Sequence, residues 1–322
     1  MELLKNQMVT LTIEDMSSDG EGIGKSDGYT IFVKDAIIGD QIEAKIIKPK
    51  KNYAFARLSR ILSPSPYRVE PKCEFHRQCG GCQLQTMSYE EQLAFKKNKV
   101  FNHLKRIGKF EESFLLDKME QIHGMENPFH YRNKAQFPVG MNREGDTIIG
   151  FYAGRTHSII PNTNCIIGSK YNHLILEAVL SYMKEYQCAP YDEVKGSGLI
   201  RHVLIREAYH TKEIMVCVII NGNKLPHQEK FIKILTELSL EDRKITSISI
   251  NINRDRTNVI MGKKTNVIWG NAYITDYIGT ISFQISPQSF YQVNSKQMEV
   301  LYQIALDYAD LNQEETVWDL YC

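Results

Sequence analysis

The chain has 322 residues, of which 43% are hydrophobic and 24% are charged, and these proportions exclude a disordered or a fibrous protein. Because this length exceeds that of a single hydrophobic core, we expect two or three domains. The formal net charge is only +1, but seven basic residues and no acidic residue lie between Lys45 and Arg68.

The N-terminus and the hydrophobic runs indicate the cellular location of the protein. No run approaches the roughly 18 apolar residues of a membrane span, and the first residues lack the apolar core of a signal peptide. We therefore expect a cytoplasmic protein without a membrane partner. Because the cytosol keeps thiols reduced, cysteines that group together are expected to bind a metal or a cluster rather than to form disulfides.

Residues 7–61 predict a small β-barrel. Short stretches of alternating hydrophobicity are separated by glycines and Asp-Gly pairs, as is typical of tightly twisted strands. The predicted strands are Met8–Ile13, Thr30–Val33, Gln41–Ile47 and Ala54–Ile61. Ser18–Lys25 is expected to form a Gly-rich turn, and Pro64 and Pro66 end the domain.

The last part of this barrel carries the basic strip. Its lysines and arginines can neutralise phosphates, and Tyr53 and Phe55 lie among them as rings on which bases can stack. We predict RNA contacts at Lys50, Lys51 and Arg57. Two alternatives stay open, namely that the strip is an ordinary solvated surface and that one of the two rings fills the barrel core.

Four cysteines form the most specific pattern in the sequence. Cys73, Cys79 and Cys82 are separated by five and two residues, and Cys165 is a distant fourth candidate. Two glycines between Cys79 and Cys82 let the backbone wrap tightly around a bound centre. Four thiolates suit structural zinc as well as a [4Fe–4S] cluster, and ligand chemistry alone does not decide between them.

Beyond the cysteines the pattern mixes helices and strands. Apolar residues at helical spacing, with Ser88 as N-cap, predict a helix over Ser88–Ile107. An α+β region follows, with helices near Tyr171–Tyr186 and Gln228–Leu240. Its predicted strands are Lys134–Val139, Thr147–Tyr152, Leu199–Glu207, Glu213–Ile220, Ile245–Ile252 and Asn258–Ile260.

A last helix is predicted over Ser295–Tyr308. Glu315–Leu320 then has the composition of a first buried strand in a parallel α/β sheet.

Together these segments resemble the RNA uracil-5 methyltransferases of the RumA/TrmA type, and the resemblance covers nearly all of the chain. Residues 18–40 resemble a TRAM domain, an OB-like RNA-binding barrel, and residues 71–85 resemble the family's cluster loop. Residues 130–134 and 198–202 resemble blocks of its RNA-facing central domain. Phe283–Asn294 and the last four residues resemble the entrance and the cofactor motif of its methyltransferase domain.

The resemblance implies a multidomain fold with three parts. The first is a TRAM-like β-barrel over residues 1–62. The second is an α+β central domain with the cysteine cluster, over residues 63–87 and 125–282. The third is the beginning of a Rossmann-like α/β methyltransferase domain, incomplete over residues 88–124 and 283–322.

The resemblance also implies roles for individual residues. The ligands of a [4Fe–4S] cluster, with zinc as the alternative, would be Cys73, Cys79, Cys82 and Cys165. Gln292 and Tyr321 stand at positions that contact S-adenosylmethionine. Arg132, Lys134 and Arg201 match RNA-facing positions, although each of them could instead be a structural ion-pair partner.

The implied reaction is methylation of C5 of a uridine, and the TRAM barrel with the cysteine cluster points to the branch that acts on 23S ribosomal RNA. In the family a cysteine adds to C6 of uracil and a carboxylate helps to remove the C5 proton. Both groups are expected beyond Cys322, so we expect a fragment that is inactive alone. As a separate expectation, the protein is a monomer. The alternative is a noncatalytic RNA-binding module with a four-cysteine structural metal site.

Overall fold

The computed structural model describes residues 3–312 and 314–320, and the chain divides into two compact units. The N-terminal unit comprises Met1–Glu126 and Tyr152–Ser158, and the C-terminal unit comprises Asn127–Phe151 and Ile159–Cys322. These units do not coincide with the three domains expected from the sequence. The domain boundaries therefore stay a prediction.

The N-terminal unit contains a closed five-stranded barrel, and this architecture confirms the predicted barrel. Its strands are β1 (Met8–Met16), β2 (Gly22–Ser26), β3 (Tyr29–Lys34), β4 (Gln41–Pro49) and β5 (Tyr53–Ser63). Around the barrel they run β1-β2-β3-β5-β4, with β3 parallel to β5 and the other neighbours antiparallel. Alternate side chains point inward, so that small aliphatic residues such as Ile31, Val33 and Ile42 fill the interior.

The structure corrects the turn that was expected over Ser18–Lys25. Only its first half is a turn, because β2 begins at Gly22 and pairs with β1 on one side and β3 on the other. A Cβ atom on Gly24 would lie 2.5 Å from the carbonyl oxygen of Thr12. Glycine is therefore needed there for the close approach of two strands rather than for a turn.

Two helices follow the barrel in the N-terminal unit, α1 (Tyr89–Arg106) and α2 (Glu112–Lys118). The Ser88 hydroxyl accepts a hydrogen bond from the amide of Glu91 at 3.3 Å, so the predicted N-cap is confirmed. Although every residue of α1 is described, none of them is fully buried. The apolar spacing therefore predicts the helix but not a buried face.

The core of the C-terminal unit is a six-stranded sheet with the order β13-β12-β11-β10-β6-β7. The elements of this unit, in chain order, are β6 (Lys134–Met141), β7 (Thr147–Ile149), β8 (Phe151–Tyr152), β9 (Ile159–Ile160), α3 (Asn172–Glu185), β10 (Ile200–Glu207), β11 (Glu213–Ile220), α4 (Gln228–Thr236), β12 (Lys244–Ile252), β13 (Lys264–Gly270), β14 (Ile274–Ile278), β15 (Ile281–Ile285) and α5 (Ser295–Ala309). Among the described strands of this sheet only β11 and β12 are parallel neighbours, because α4 connects them as a crossover.

Both faces of this sheet are covered, which explains the nearly continuous apolar runs of β10 and β11. Helices α3 and α4 pack on one face, where Val179, Phe231 and Val216 belong to the main core. On the other face Met215 packs with Ile274 and Ile285 of the β14–β15 hairpin. The predicted α+β character of this region is confirmed.

Two predicted strands are wrong for the residues that the structure describes. Asn258–Ile260 is a loop, because the Asn253 side chain donates to the carbonyls of Val259 and Ile260 at 2.7 and 2.9 Å and takes the place of a neighbouring strand. Glu315–Leu320 is not a strand either, and its Trp318 is 81% exposed. A strand needs a paired neighbour for its backbone, and none of the described strands lies beside this segment.

No helix in the described part of the chain is both long enough and apolar enough to cross a bilayer.

Candidate nucleic-acid interface

Three aromatic rings cluster on the outer face of the barrel. Because β3 and β5 run parallel in register, Phe32 lies opposite Phe55, and Thr30 lies opposite Tyr53. The ring centroids of Phe32 and Phe55 are 5.5 Å apart. The Tyr53 ring stands nearly perpendicular to both, at 5.9 and 5.7 Å. Such a cluster offers ring faces and edges on which bases can stack.

Neither ring of the basic strip fills the barrel core. Tyr53 is 38% exposed and Phe55 is half-buried, whereas Ala54 and Ala56 are buried. Successive residues of a strand point to opposite faces, so the two alanines take the inner positions and both rings lie outside. The alternative that one of the two rings fills the barrel is therefore wrong.

The cysteine loop, residues 73–82, belongs to the same unit as the barrel. It begins with two tight turns, in which the amide of His76 donates to the carbonyl of Cys73 at 3.2 Å and the amide of Cys79 donates to the carbonyl of Phe75 at 2.8 Å. Cys73 is buried, and Cys79 and Cys82 are half-buried. The loop is thus held by its own backbone with two of its thiols near the surface.

The segment 152–158 packs against the cysteine loop although it is distant in sequence. The amide of Gly80 donates to the carbonyl of Tyr152 at 3.2 Å, and Cys79 forms an isolated bridge with Ala153. A Cβ atom on Gly80 would lie 3.0 Å from the Cα atom of Gly154. The absence of a side chain at Gly80 therefore allows the two backbones to approach.

A cavity of about 760 Å³ lies between the barrel and the cysteine loop, and we call it the barrel–loop groove. Phe32 and Phe55 line it from the barrel, Cys79 and Cys82 from the loop, and Arg155 from the segment 152–158. Its volume falls within the roughly 300 to 1,000 Å³ of cavities that hold small ligands. Its walls combine aromatic, thiol and charged groups.

Charged side chains of both signs line the groove. They are the basic residues Lys34, Lys48 and Arg155 and the acidic residues Asp19, Glu21 and Asp35. The Lys34 ammonium donates to the carbonyl of Arg77 at 3.1 Å. Arg155 lies 3.9 Å from the Glu21 carboxylate and its side chain is 82% exposed, so this pair is loose.

The RNA contacts predicted from the basic strip lie on the barrel surface. Lys50, Lys51 and Arg57 are exposed, and Arg57 lies opposite Lys34 across the β3–β5 pair. They lie outside the groove lining, which takes Lys48 from the same strip. Their predicted RNA contacts stay predictions.

Arg132 and Lys134 belong to the C-terminal unit and are half-buried. Lys134 lies opposite Arg206 across the β6–β10 pair. Burial and the neighbouring charges of Arg206 and Arg132 lower the pKa of the Lys134 ammonium. Arg206 is fixed by donating to the carbonyls of Pro287 and Ser289. The RNA contacts predicted at Arg132 and Lys134 stay predictions.

Arg201 occupies a different environment. It is only 5% exposed, and its Nη1 atom donates to the carbonyls of Asn253 and Asp255 at 3.0 and 2.8 Å. Its guanidinium lies 4.3 Å from the centre of the Tyr191 ring. This environment favours the structural alternative for Arg201, because the side chain has almost no accessible surface for an RNA contact. Its hydrogen-bond partners are backbone carbonyls, however, and not the carboxylate of an ion pair.

The predicted metal ligands divide between the units, because Cys165 belongs to the C-terminal unit. Thiols are the right donors for zinc or for an iron–sulfur cluster. Within the described ranges, however, no three His, Cys, Asp or Glu side chains are arranged to hold a metal ion. Cys188 and Cys217 are buried core residues, and burial raises the pKa of the Cys217 thiol to about 11.

The predicted cofactor contacts lie near the end of the chain. Gln292 is half-buried, and its carbonyl accepts a hydrogen bond from the Asn133 side chain at 2.8 Å. The same amide group donates to the Ser295 hydroxyl at 2.9 Å, so Asn133 positions the segment that carries Gln292. Tyr321 lies outside the described residues.

Several residues that line the groove were not predicted as site residues from the sequence, among them Phe32, Lys34 and Arg155. Phe32 and Lys34 belong to or border a predicted strand, and pairing that strand with Ala54–Ile61 would have revealed them. Arg155 had no local signal, because only the folded chain brings it to the groove.

The family model of the TRAM domain matches residues 2–59. An uncharacterized RNA methyltransferase of Clostridium tetani is 45% identical over 318 residues, and one of Listeria monocytogenes is 44% identical over 320 residues. Each alignment covers 99% of this chain and 67% or 68% of the relative, so the chain spans about two thirds of the length of these curated relatives.

One solved structure shares the fold over most of the chain. It is the crystal structure of the Pyrococcus abyssi tRNA (uracil-54, C5)-methyltransferase in complex with S-adenosyl-L-homocysteine. The similarity has a TM-score of 0.67 and covers 92% of this chain and 64% of that chain, with 24% sequence identity. At this identity the likeness concerns the fold.

Proposed function

The chain belongs to the RNA methyltransferase family, and on that premise we propose that it takes part in the S-adenosylmethionine-dependent methylation of C5 of a uridine in RNA. The observation that carries the proposal is the likeness of 44–45% over nearly the whole chain to RNA methyltransferases. The TRAM match at residues 2–59 supports RNA as the partner.

The proposed reaction requires the protein to unstack the target uridine and to bind the methyl donor. A nucleophile adds to C6, and C5 attacks the methyl group, through the faces of the ring. Stacked neighbours cover these faces, so the uridine must leave its stack before the reaction. S-adenosylmethionine supplies that methyl group. We assign its contacts to Gln292 and Tyr321, and we assign the nucleophile and the base to no described residue.

We propose that this chain supplies RNA recognition to the reaction. Exposed cations at Lys50, Lys51 and Arg57 can neutralise phosphates next to the aromatic cluster on the barrel. In the C-terminal unit, Arg132 and Lys134 are the cations proposed to contact RNA. Methyl transfer by this chain alone is not expected.

A loop of 23S ribosomal RNA is the proposed substrate, and the protein is proposed to be a cytoplasmic monomer. The solved structure that shares the fold is described as an enzyme of transfer RNA uracil-54, so transfer RNA is the substrate to compare. Binding should be measured by fluorescence anisotropy with uridine-containing loops of both RNAs at matched salt, because phosphate contacts make affinity depend on ionic strength.

Methyl transfer is tested separately. The chain is incubated with methyl-labelled S-adenosylmethionine and with each RNA, and 5-methyluridine is quantified after nuclease digestion. We expect RNA binding without methyl transfer. Formation of 5-methyluridine by this chain alone would contradict the assignment of the nucleophile outside the described residues. Absence of RNA binding would contradict the proposed function itself.

We further propose that Cys73, Cys79, Cys82 and Cys165 bind a [4Fe–4S] cluster, with zinc as the alternative. The support is their spacing and the glycines that let the loop wrap closely. The test is anaerobic purification followed by an absorbance spectrum and by iron, sulfide and zinc analysis. About four irons per chain are expected.

The matched control for this test is Cys188→Ser, because Cys188 is a buried thiol of the core. Iron should be lost in Cys79→Ser and retained in Cys188→Ser. One zinc per chain without iron would instead favour the second candidate, a noncatalytic RNA-binding module with a structural metal site.

A further inference from the structure

The barrel–loop groove has two walls, and only one of them belongs to the barrel. Phe32 and Phe55 form the aromatic part of the barrel wall. The opposite wall is formed by Cys79, Gly80 and Cys82 of the cysteine loop, by Gln83 and Leu84 directly after it, and by Arg155. Any ligand that fills the groove therefore touches the barrel and the cysteine loop together.

The groove chemistry matches a single-stranded polynucleotide. A base can stack on Phe32 or Phe55, which line the groove, since stacking tolerates any base. Lys34, Lys48 and Arg155 supply donors for phosphates. The carboxylates in the same lining repel phosphate but accept hydrogen bonds from base amino groups and 2′-hydroxyls, so a bare polyanion fits less well than RNA.

Resting on the proposed function, we propose that the barrel–loop groove binds a single-stranded segment of the RNA, with a base stacked on Phe55 and a phosphate at Arg155. The cysteine loop is then one wall of the RNA site rather than a separate staple of the fold. The bound RNA segment would therefore also cover Cys79 and Cys82, which line the same groove.

Two substitutions test the two walls. Phe55→Ala removes the ring from the barrel wall, and Phe114→Ala is its control, because Phe114 is 49% exposed and stacks on Phe110 away from the groove. Arg155→Asn removes the charge from the other wall and suits the left-handed backbone at φ 61°. Its control is Arg143→Asn, an exposed arginine outside the groove.

The expected results separate stacking from phosphate contact. For a fluorescent uridine-rich single strand, Phe55→Ala should weaken binding at least about fivefold with an unchanged salt slope. Arg155→Asn should weaken binding and lower the slope of log K against log salt by about 0.7, the value for one phosphate of a single strand. Both controls should bind as the wild type does.

Crosslinking locates the RNA independently of affinity. A strand with 4-thiouridine is irradiated in the complex, and crosslinked peptides are identified by mass spectrometry. Crosslinks to the β3 or β5 region and also to residues 79–84 or 152–158 are expected.

Of the two groove variants, Arg155→Asn is the one less able to disturb folding, since the Arg155 side chain is 82% exposed.

Three results would overturn the proposal. One is RNA binding in which both groove variants match their controls. Another is crosslinks that lie outside the groove. The third is equal competition by duplex DNA, which would indicate a general polyanion surface. A wild-type chain that binds no RNA would instead overturn the proposed function as well.

Discussion

The Asp40 carboxylate and the Arg68 guanidinium form a buried salt bridge that ties the β3–β4 connection to the segment after β5. Nε of Arg68 donates to Oδ1 of Asp40 at 2.9 Å, and Nη2 donates to Oδ2 at 2.5 Å. Asp40 is fully buried and also accepts from the amides of Ile37 and Ser65 at 2.8 and 2.9 Å. Every strong acceptor position of this carboxylate is thus used.

Asp40→Asn should destabilise the N-terminal unit. The amide cannot pair with the guanidinium, and breaking a buried pair by changing one partner costs about 3–5 kcal/mol. The free energy of unfolding is measured by urea denaturation. The control is Glu43→Gln, which removes the exposed pair with Arg60 at 3.2 Å and should cost less than about 1 kcal/mol. Equal losses in the two variants would contradict the prediction.

His202 should make the stability of the chain depend on pH. Burial and then the neighbouring Arg201 charge lower the pKa of the His202 imidazole from 6.5 to about 4. Between these values the unfolded state binds the proton and the folded state does not. The free energy of unfolding therefore falls as the pH falls from 6.5 to 4, by up to about 3 kcal/mol.

The test compares urea denaturation at pH 7 and pH 4.5. His202→Gln removes the titrating group, so its loss between the two pH values should be smaller than the wild-type loss by about 2 to 3 kcal/mol. His123→Gln is the control, because His123 is exposed. An unchanged pH dependence in His202→Gln would show that the folded imidazole titrates normally.

Gly80→Ala should loosen the contact between the cysteine loop and the segment 152–158. The new methyl group would lie 3.0 Å from the Cα atom of Gly154, which is backbone and must move. Hydrogen exchange at the Gly80 amide, which donates to Tyr152, should therefore become faster. Gly81→Ala is the matched control, since its nearest neighbour is the Cys79 sulfur at 3.5 Å. Equal exchange in the two variants would refute the steric argument.

Asn133→Ala should release the segment that carries Gln292. The variant loses two side-chain hydrogen bonds, to the Gln292 carbonyl and to the Ser295 hydroxyl. At about 1 kcal/mol each, their loss should lower the protection of residues 292–297 against hydrogen exchange by about tenfold or more. Asn142→Ala, in an exposed turn of the same unit, should leave this segment unchanged. Protection that survives in Asn133→Ala would assign the positioning to other contacts.

Local patterns in the sequence were sufficient for much of the secondary structure. Period-two alternation located most barrel strands, and the Ser88 cap located the start of α1, because both depend on residues close together in the chain. The same patterns failed at Glu315–Leu320, where strand-like composition is not enough without a paired neighbour.

The barrel, the basic strip and the cysteine spacing can be predicted from the sequence alone, since composition and periodicity are local properties. The contact of Phe32 with Phe55, the position of Arg155 in the groove and the burial of Arg201 are visible only in the folded chain. The reason is that strand register and the packing of distant segments are set by the hydrogen bonds and side-chain volumes of residues far apart in the chain.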